Sequence, residues 1–290
     1  RWMRKKIIRT TPGMRTRRAT SVFVVCTAAF LAACSPVRGG EEPSFSALSY
    51  KNLIPNESYS PATAPLAPGT ALDLSGDEPR PGAYFNYQSC TVAWSFTLAD
   101  ARTIAVTASH CGKPGDKVWA GTADGDFSYP AEPIGEVIYS DFYSEDSHDL
   151  DVAFIEITGS AEYYVPGAVD NSVATSLAHL PHQVCKLGRV TDETCGTLSH
   201  DAEMAQLNSE GLQRDSLAAR ARVCSTNGDS GGPVYGEVEG KQTIVGVVSG
   251  TTQRLEEGHT CQTTPTDMEL SFTLATDIQL LAKEVLGPMA

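Results

Sequence analysis

Hydrophobic and polar positions change texture three times along the chain. Residues 1–20 are basic and polar, and Ser21–Ala33 then form a mostly apolar run, SVFVVCTAAFLAA. Residues 35–81 keep neither a strand nor a helix period and hold eight of the 17 prolines, as in PATAPLAPGT at 61–70. From about Gly82 the pattern becomes short apolar runs rich in β-branched and aromatic residues, separated by Gly, Asp, Asn and Ser. Thr91–Thr97, Thr103–Thr107, Asp151–Ile157 and Thr243–Val248 are strand-length runs of this kind, spaced as in sandwiches and barrels. Helical spacing occurs once. Ile278, Leu281, Ala282, Val285 and Leu286 recur at i, i+3, i+4, i+7 and i+8, behind a stretch, Thr276 to Gln279, with capping-box spacing. Gly287 predicts the stop. The pattern therefore predicts a leader over 1–33, an extended segment over 34–81, and an all-β body over 82–290 ending in an α-helix.

Composition narrows the class. With 41% apolar and 20% charged residues in 290, the chain is neither disordered nor collagen-like. No apolar run reaches the roughly 18 residues of a spanning helix, which excludes a polytopic membrane protein. The net charge of −13 hides an asymmetry, because eight of the 22 basic residues lie in the first 33 positions and no acid precedes Glu41. The remainder carries 14 basic against 35 acidic residues, a net −21. A body so acidic repels phosphate backbones, so no nucleic-acid partner is expected.

An apolar run of that length behind a basic region fits the hydrophobic part of an export signal and is too short for a stable membrane anchor. It ends in Leu31-Ala32-Ala33-Cys34, which resembles the lipobox of bacterial lipoproteins. That resemblance implies cleavage before Cys34, a diacylglyceryl group on its sulfur, and attachment at the outer face of a bacterial membrane. An ordinary small-residue cleavage site and a secreted protein is the other outcome. Arg17-Arg18 leaves both general and twin-arginine export open. The proline-rich segment cannot bury enough apolar surface to offset its ordering entropy, so it is expected to be a tether, or else a short pro-segment.

Eight cysteines are present. Cys26 leaves with the signal and Cys34 is used by lipidation. The even set that remains, Cys90, Cys111, Cys185, Cys195, Cys224 and Cys261, implies disulfides in an exported chain. Six cysteines allow 15 pairings, and spacing does not choose among them. No CxxC pair or Cys/His cluster suggests a metal, and no metal or cofactor is expected.

Three motifs carry chemistry. Gly228-Asp229-Ser230-Gly231-Gly232-Pro233 offers a serine on a tight turn, with the N–H groups of Gly228 and Ser230 able to point at one developing oxyanion. Thr107-Ala108-Ser109-His110-Cys111 offers a base with a pKa near neutrality. Asp151-Val152-Ala153-Phe154-Ile155 puts an aspartate at the head of an apolar strand, where it can orient an imidazole. Asp149 is a rival two residues earlier.

The chain order His110, Asp151, Ser230 and the strings around these residues resemble the chymotrypsin family of serine peptidases over roughly 82–290. The bacterial streptogrisin and α-lytic branch is the nearer match, through Val184–Arg189, Thr194–Gly196 and the cysteine at Arg222-Val223-Cys224. The resemblance implies an all-β fold of two six-stranded antiparallel β-barrels of chymotrypsin type with a C-terminal α-helix. It also implies disulfides Cys90–Cys111, Cys185–Cys195 and Cys224–Cys261, and Ser249 near Asp151. Ser109 departs from the Ala or Gly usual before the histidine. No IVGG-like start occurs near 75–90, so a basic residue is expected to replace the new amine that would pair with Asp229. Lys186 holds the matching position, with Arg189 and Arg222 as backups.

The function implied is a monomeric serine endopeptidase acting on polypeptides, with Ser230 as nucleophile, His110 as base and Asp151 orienting it. The alternative is a non-catalytic surface binding module that keeps the fold. By the same resemblance the specificity pocket is walled by Cys224, Ser225, Thr226 and Asn227 on one side and Ser249, Gly250 and Thr251 on the other. Cys224 brings no charge where basic-specific enzymes carry an aspartate, and Val248 stands where glutamate-specific relatives carry a histidine. Thr251 in place of a glycine narrows the mouth, which favours small apolar side chains.

Overall fold

The computed structural model describes residues 4–7, 60–61, 66–122, 127, 131–159, 162–209, 211–252, 260–261 and 268–290. The apolar run at 21–33, Leu31–Cys34 and most of the proline-rich segment lie outside the described residues, as does much of the loop between Thr252 and Met268.

The first set of strands is β1 (Arg4–Ile7), β2 (Ser60–Pro61), β3 (Ala71–Ser75), β4 (Tyr84–Thr91), β5 (Trp94–Thr97), β6 (Thr103–Thr107), β7 (Lys117–Ala120), β8 (Gly135–Ser140), β9 (Ala153–Ile157) and β10 (Glu162–Tyr163). The second is β11 (Gln183–Gly188), β12 (Asp192–Ser209), β13 (Leu212–Arg222), β14 (Pro233–Val238), β15 (Lys241–Thr251) and β16 (Leu270–Leu274), followed by α1 (Ala275–Leu286). β1 lies in the expected leader, and the end of the expected extended segment belongs to the fold: β3 pairs with β4 and β7, and Leu66, Leu72 and Leu74 are buried in the core, so the body begins before Gly82. The second set closes into the expected six-stranded barrel, in the order β11-β12-β13-β16-β15-β14. The first set forms an eight-stranded antiparallel sheet, β1-β4-β3-β7-β8-β9-β6-β5, with β2 and β10 paired apart from it.

That sheet departs from a closed six-stranded barrel. Among the described residues no ladder joins β4 to β5, and the reason lies in the corner between them. The amide of Thr91 donates to the Ser230 carbonyl (2.8 Å), and those of Val92 and Ala93 donate to Thr70 and Val106 (2.8 Å each). Those donors are committed elsewhere, one of them to the other half of the body, and the run read as a single strand over 91–97 splits there.

Apolar side chains fill the interior on the expected faces. Ile104, Val106, Val118, Val137, Phe154 and Ile155 are wholly buried in the first half, and Val184, Ala219, Val234, Val245 and Phe272 in the second. Removing such side chains from water contributes roughly 1.5–3 kcal/mol each before entropy is counted. Helix α1 buries Ile278, Leu281 and Ala282 against the first core, on the stripe its spacing predicts. Its start differs from the capping-box expectation. Leu274 is the N-cap, with no side-chain cap bond, because β16 runs directly into the helix and its ladder with β15 fixes where extended backbone ends. Gly287 closes the helix at φ 94°.

Candidate active site

The functional side chains sit at or near the ends of strands. β6 leads into the 3-10 turn Ser109–Cys111 and with it His110. Asp151 lies two residues before β9, whose register against β6 pairs Ala153 with Thr107. Ser230 lies in the turn before β14, and Ser249 lies near the end of β15.

Asp151 is fully buried and surrounded by donors. His110 Nδ1 lies 2.8 Å from Oδ2, and the Ser249 hydroxyl donates to the same oxygen at 2.5 Å. Oδ1 accepts from the Ser109 hydroxyl at 2.6 Å and from the His110 amide at 3.2 Å. Burial alone would raise the aspartate's pKa. The neighbouring imidazole and the hydrogen bonds from His110, Ser109 and Ser249 overcome this and hold it below the ordinary carboxylate value. For His110, whose side chain is 13% exposed, burial would depress the pKa, and the Asp151 charge lifts it above the usual histidine value. Asp149, the rival acid, sits exposed at φ 57°, and its carbonyl accepts from the Leu217 amide at 2.7 Å.

The serine turn is built against the first sheet. Gly231 has φ 84°, and a Cβ there would collide with the Thr107 hydroxyl and the Thr91 carbonyl. Gly228, at φ 102°, would meet Val190. Only glycine meets both demands, conformational and steric. The amides of Asp229, Gly231 and Gly232 donate to Thr226, Val248 and Asp229 carbonyls. Among the described residues those of Gly228 and Ser230 make no such bond, and His110 and Ser230 are not hydrogen-bonded to each other.

Beneath this turn Asp229 is fully buried and receives the Lys186 ammonium at 3.1 Å. It also accepts from the amides of Val190 (3.0 Å), Thr191 (3.1 Å) and Thr226 (3.1 Å), and from the Thr191 and Ser225 hydroxyls. Burial pushes its pKa up, but the Lys186 charge and these donors hold it below the ordinary value. Of the two backups, Arg189 is used differently. It pairs with buried Asp73 on β3 and donates to the carbonyls of Leu72 (2.7 Å) and Thr122 (2.8 Å), so it ties the second barrel to the first sheet. Arg222 is exposed.

The three disulfides are Cys90–Cys111, Cys185–Cys195 and Cys224–Cys261. Closing such loops contributes typically about 2–4 kcal/mol each. The first joins β4 to the His110 turn, and the last joins the cysteine preceding Ser225 to the segment after β15. Around the expected pocket, Ser225 is buried against Met268, its amide 3.5 Å from the sulfur. Gly250 faces open space apart from the Ser271 hydroxyl, and Thr251 pairs with Leu270.

Sequence reasoning missed two residues. The hydroxyl of buried Thr91 donates to the Gly228 carbonyl at 2.8 Å and accepts from the Arg189 amide at 3.2 Å. Buried Asp141 gathers the loop before Asp151, accepting from Tyr139 Oη (2.6 Å), Ser147 Oγ (3.0 Å) and the amides of His148 (3.0 Å) and Leu150 (2.9 Å). An acid just upstream of a run of Ser, His and Asp was the available hint.

A model of the Trypsin family matches residues 85–266, more than half of the chain, and the chain belongs to that family. Its architecture is that of a chymotrypsin-like serine protease, whose substrates are polypeptides. Among solved structures it is similar to Thermobifida fusca protease A, at 20% identity over 77% of this chain and 97% of that one, with a TM-score of 0.48. A glutamic-acid-specific serine protease described as using a histidine triad in substrate binding is 17% identical over 78% of this chain and all of the other, with a TM-score of 0.50. Likeness at that identity shows the fold alone. No curated protein matches.

Proposed function

We propose that the chain is a serine endopeptidase working through an acyl-enzyme on Ser230. The observation that carries this is the donor set around Asp151, which holds the His110 ring by Nδ1 and leaves Nε2 for a nucleophile. His110 takes the Ser230 proton as the hydroxyl attacks the scissile carbonyl, then gives it to the departing amine. Asp151 stays ionised, fixes the tautomer and stabilises the imidazolium. The N–H groups of Gly228 and Ser230 receive the oxyanion. Water then repeats the sequence to release the acid product.

Substrate enters a pocket walled by Cys224–Asn227 and Ser249–Thr251, which favours small apolar side chains before the cut. The glutamate specificity of the similar protease does not carry over, since this pocket has Val248 where a histidine would be needed, and Val248 is buried in the core. The protein is exported, its three disulfides suit an oxidising compartment, and Cys34 tethers it by lipid through the proline-rich segment. It acts as a monomer without metal or cofactor.

Labelling with a fluorophosphonate probe tests the reading. The folded protein should be labelled on Ser230, and Ser230→Ala should abolish labelling. A folded wild type that resists the probe is not this enzyme.

A further inference from the structure

Asp151 carries one donor that orienting the imidazole does not require. Nδ1 of His110 and the Ser249 hydroxyl both engage Oδ2, and Oδ1 already has the His110 amide. The fourth donor is the Ser109 hydroxyl, at 2.6 Å from Oδ1. Ser109 is wholly buried. Its carbonyl is held in turn by the buried Ser140 hydroxyl at 3.0 Å, so the peptide that carries it is fixed from a second strand.

We propose that Ser109 is a positioning residue that sets the basicity of His110 by drawing charge from the Asp151 carboxylate. The inference rests on the peptidase reading for His110 as the base. A hydroxyl bonded to a buried carboxylate stabilises the ionised form and takes up part of its negative charge. The share left to hold a proton on the imidazole is smaller. Asp151 is held below the ordinary value by the imidazole first and by its hydroxyl partners as well, against the pull of burial. A general base works best with a pKa near the operating pH, and a carboxylate bonded by peptide N–H alone on Oδ1 would hold the imidazolium more tightly. Ser109 moderates that grip.

Other titratable groups share a cleft with His110. His110 lines a cleft of about 310 Å³ with Asp77, Lys113, Asp116 and Tyr143. Substituting Ser109 leaves these in place, so a change in His110 titration reports the Asp151 contact.

The test is NMR titration of the His110 ring in the full chain, for wild type, Ser109→Ala and Ser109→Cys, with the pH profile of kcat/KM alongside. Cysteine nearly preserves volume and donates weakly, so it reads the same bond if the alanine variant folds poorly. In both variants the His110 midpoint should rise by about half to one pH unit, and the acid limb of kcat/KM should move up with it. A midpoint that stays put or falls overturns the proposal, whatever happens to kcat. The titration needs no turnover. A wild type that resists fluorophosphonate defeats the peptidase reading, while the His110 midpoint still decides the role of Ser109.

Discussion

The ammonium of Lys186 lies 3.1 Å from the Asp229 carboxylate, and neither side chain is exposed at all. In enzymes activated by cleavage, a new terminal amine fills this place and organises the turn that carries the nucleophile. Here a side chain on β11 lies against the same aspartate, which predicts a turn that forms without a freshly cut terminus. Removing one partner of a buried pair typically costs about 3–5 kcal/mol, because the other charge is left without compensation. Lys186→Met should therefore lower the urea midpoint sharply and remove activity. The unclipped chain should hydrolyse peptides as fast as one trimmed to just before Leu66, a cut that keeps β3 and its Asp73–Arg189 pair. Retained stability and turnover in Lys186→Met would assign the role to another cation.

Thr91 tests how the two halves cooperate. Its amide donates to the Ser230 carbonyl and its hydroxyl to the Gly228 carbonyl, so one residue of the first sheet fixes two peptides of the serine turn. Thr91→Val keeps the shape and the Thr91 amide bond but takes the partner from the Gly228 carbonyl and from the Arg189 amide, at a cost of about 1–3 kcal/mol for each group left unsatisfied. The expected kinetic result is a fall in kcat of about tenfold with KM little changed, since the oxyanion donors are misaligned rather than removed. Equal losses in substrate affinity would point to the pocket instead.

The strings around His110, Asp151 and Ser230 were legible because each is local: a few adjacent residues fix a turn or the head of a strand. The strands at 103–107 and in β15 were legible from unbroken apolar runs. What stayed hidden depends on partners far away in the chain. Thr91 looks like any strand threonine until Gly228, 137 residues on, is placed against its hydroxyl. Lys186 was expected beside Asp229 from its place after Cys185, and it pairs there, but nothing local in the sequence sends Arg189, a backup for that role, to Asp73 instead. The capping-box spacing at Thr276 was overruled by the ladder of β16, since strand hydrogen bonds outweigh a local cap.

Acid should reduce activity through His110 and, at lower pH, stability through the buried aspartates. His110 must be neutral to accept a proton, and its pKa is raised in the fold by Asp151, so kcat/KM should fall on acidification with a midpoint above about 6.5. As a stability contribution, the raised histidine helps fully below that unfolded value and its help disappears as pH rises through the folded one. Asp151 and Asp229 are depressed in the fold. Their contribution is present above the unfolded value of about 3.9 and is lost as pH falls through the lower folded values. Unfolding curves at pH 7, 5, 4 and about 3 check this; stability should hold to about pH 4 and drop steeply below.

The proposed lipid anchor is Cys34. Two acyl chains give stable membrane attachment, at roughly 0.8 kcal/mol per buried methylene. Cys34→Ala should release the protein from membranes or leave it unprocessed, read by fractionation and by mass spectrometry of the N-terminus. A wild type wholly in the medium with an unmodified terminus would remove the lipid from the account.

Specificity is the sharpest test of the pocket. Cys224 is tied to Cys261 and so puts no carboxylate at the pocket's base, which disfavours cleavage after Lys or Arg despite the acidic body. Ser249 is committed to Asp151, leaving Gly250 and Thr251 to shape the mouth. A Cβ on Gly250 would meet only the Ser271 hydroxyl, whereas in the proposed pocket Thr251 puts a branched side chain where a glycine would admit an aromatic ring. Small apolar side chains should therefore be preferred. One methylene too many changes binding by only about 1–3 kcal/mol, so the ranking Ala and Val over Leu over Phe should be graded. Profiling with a mixed peptide library measures it directly. Thr251→Gly should widen the preference toward Phe while leaving the rate on Ala substrates nearly unchanged. Dominant cleavage by the wild type after Arg, Lys or Phe would mean that other residues line the pocket.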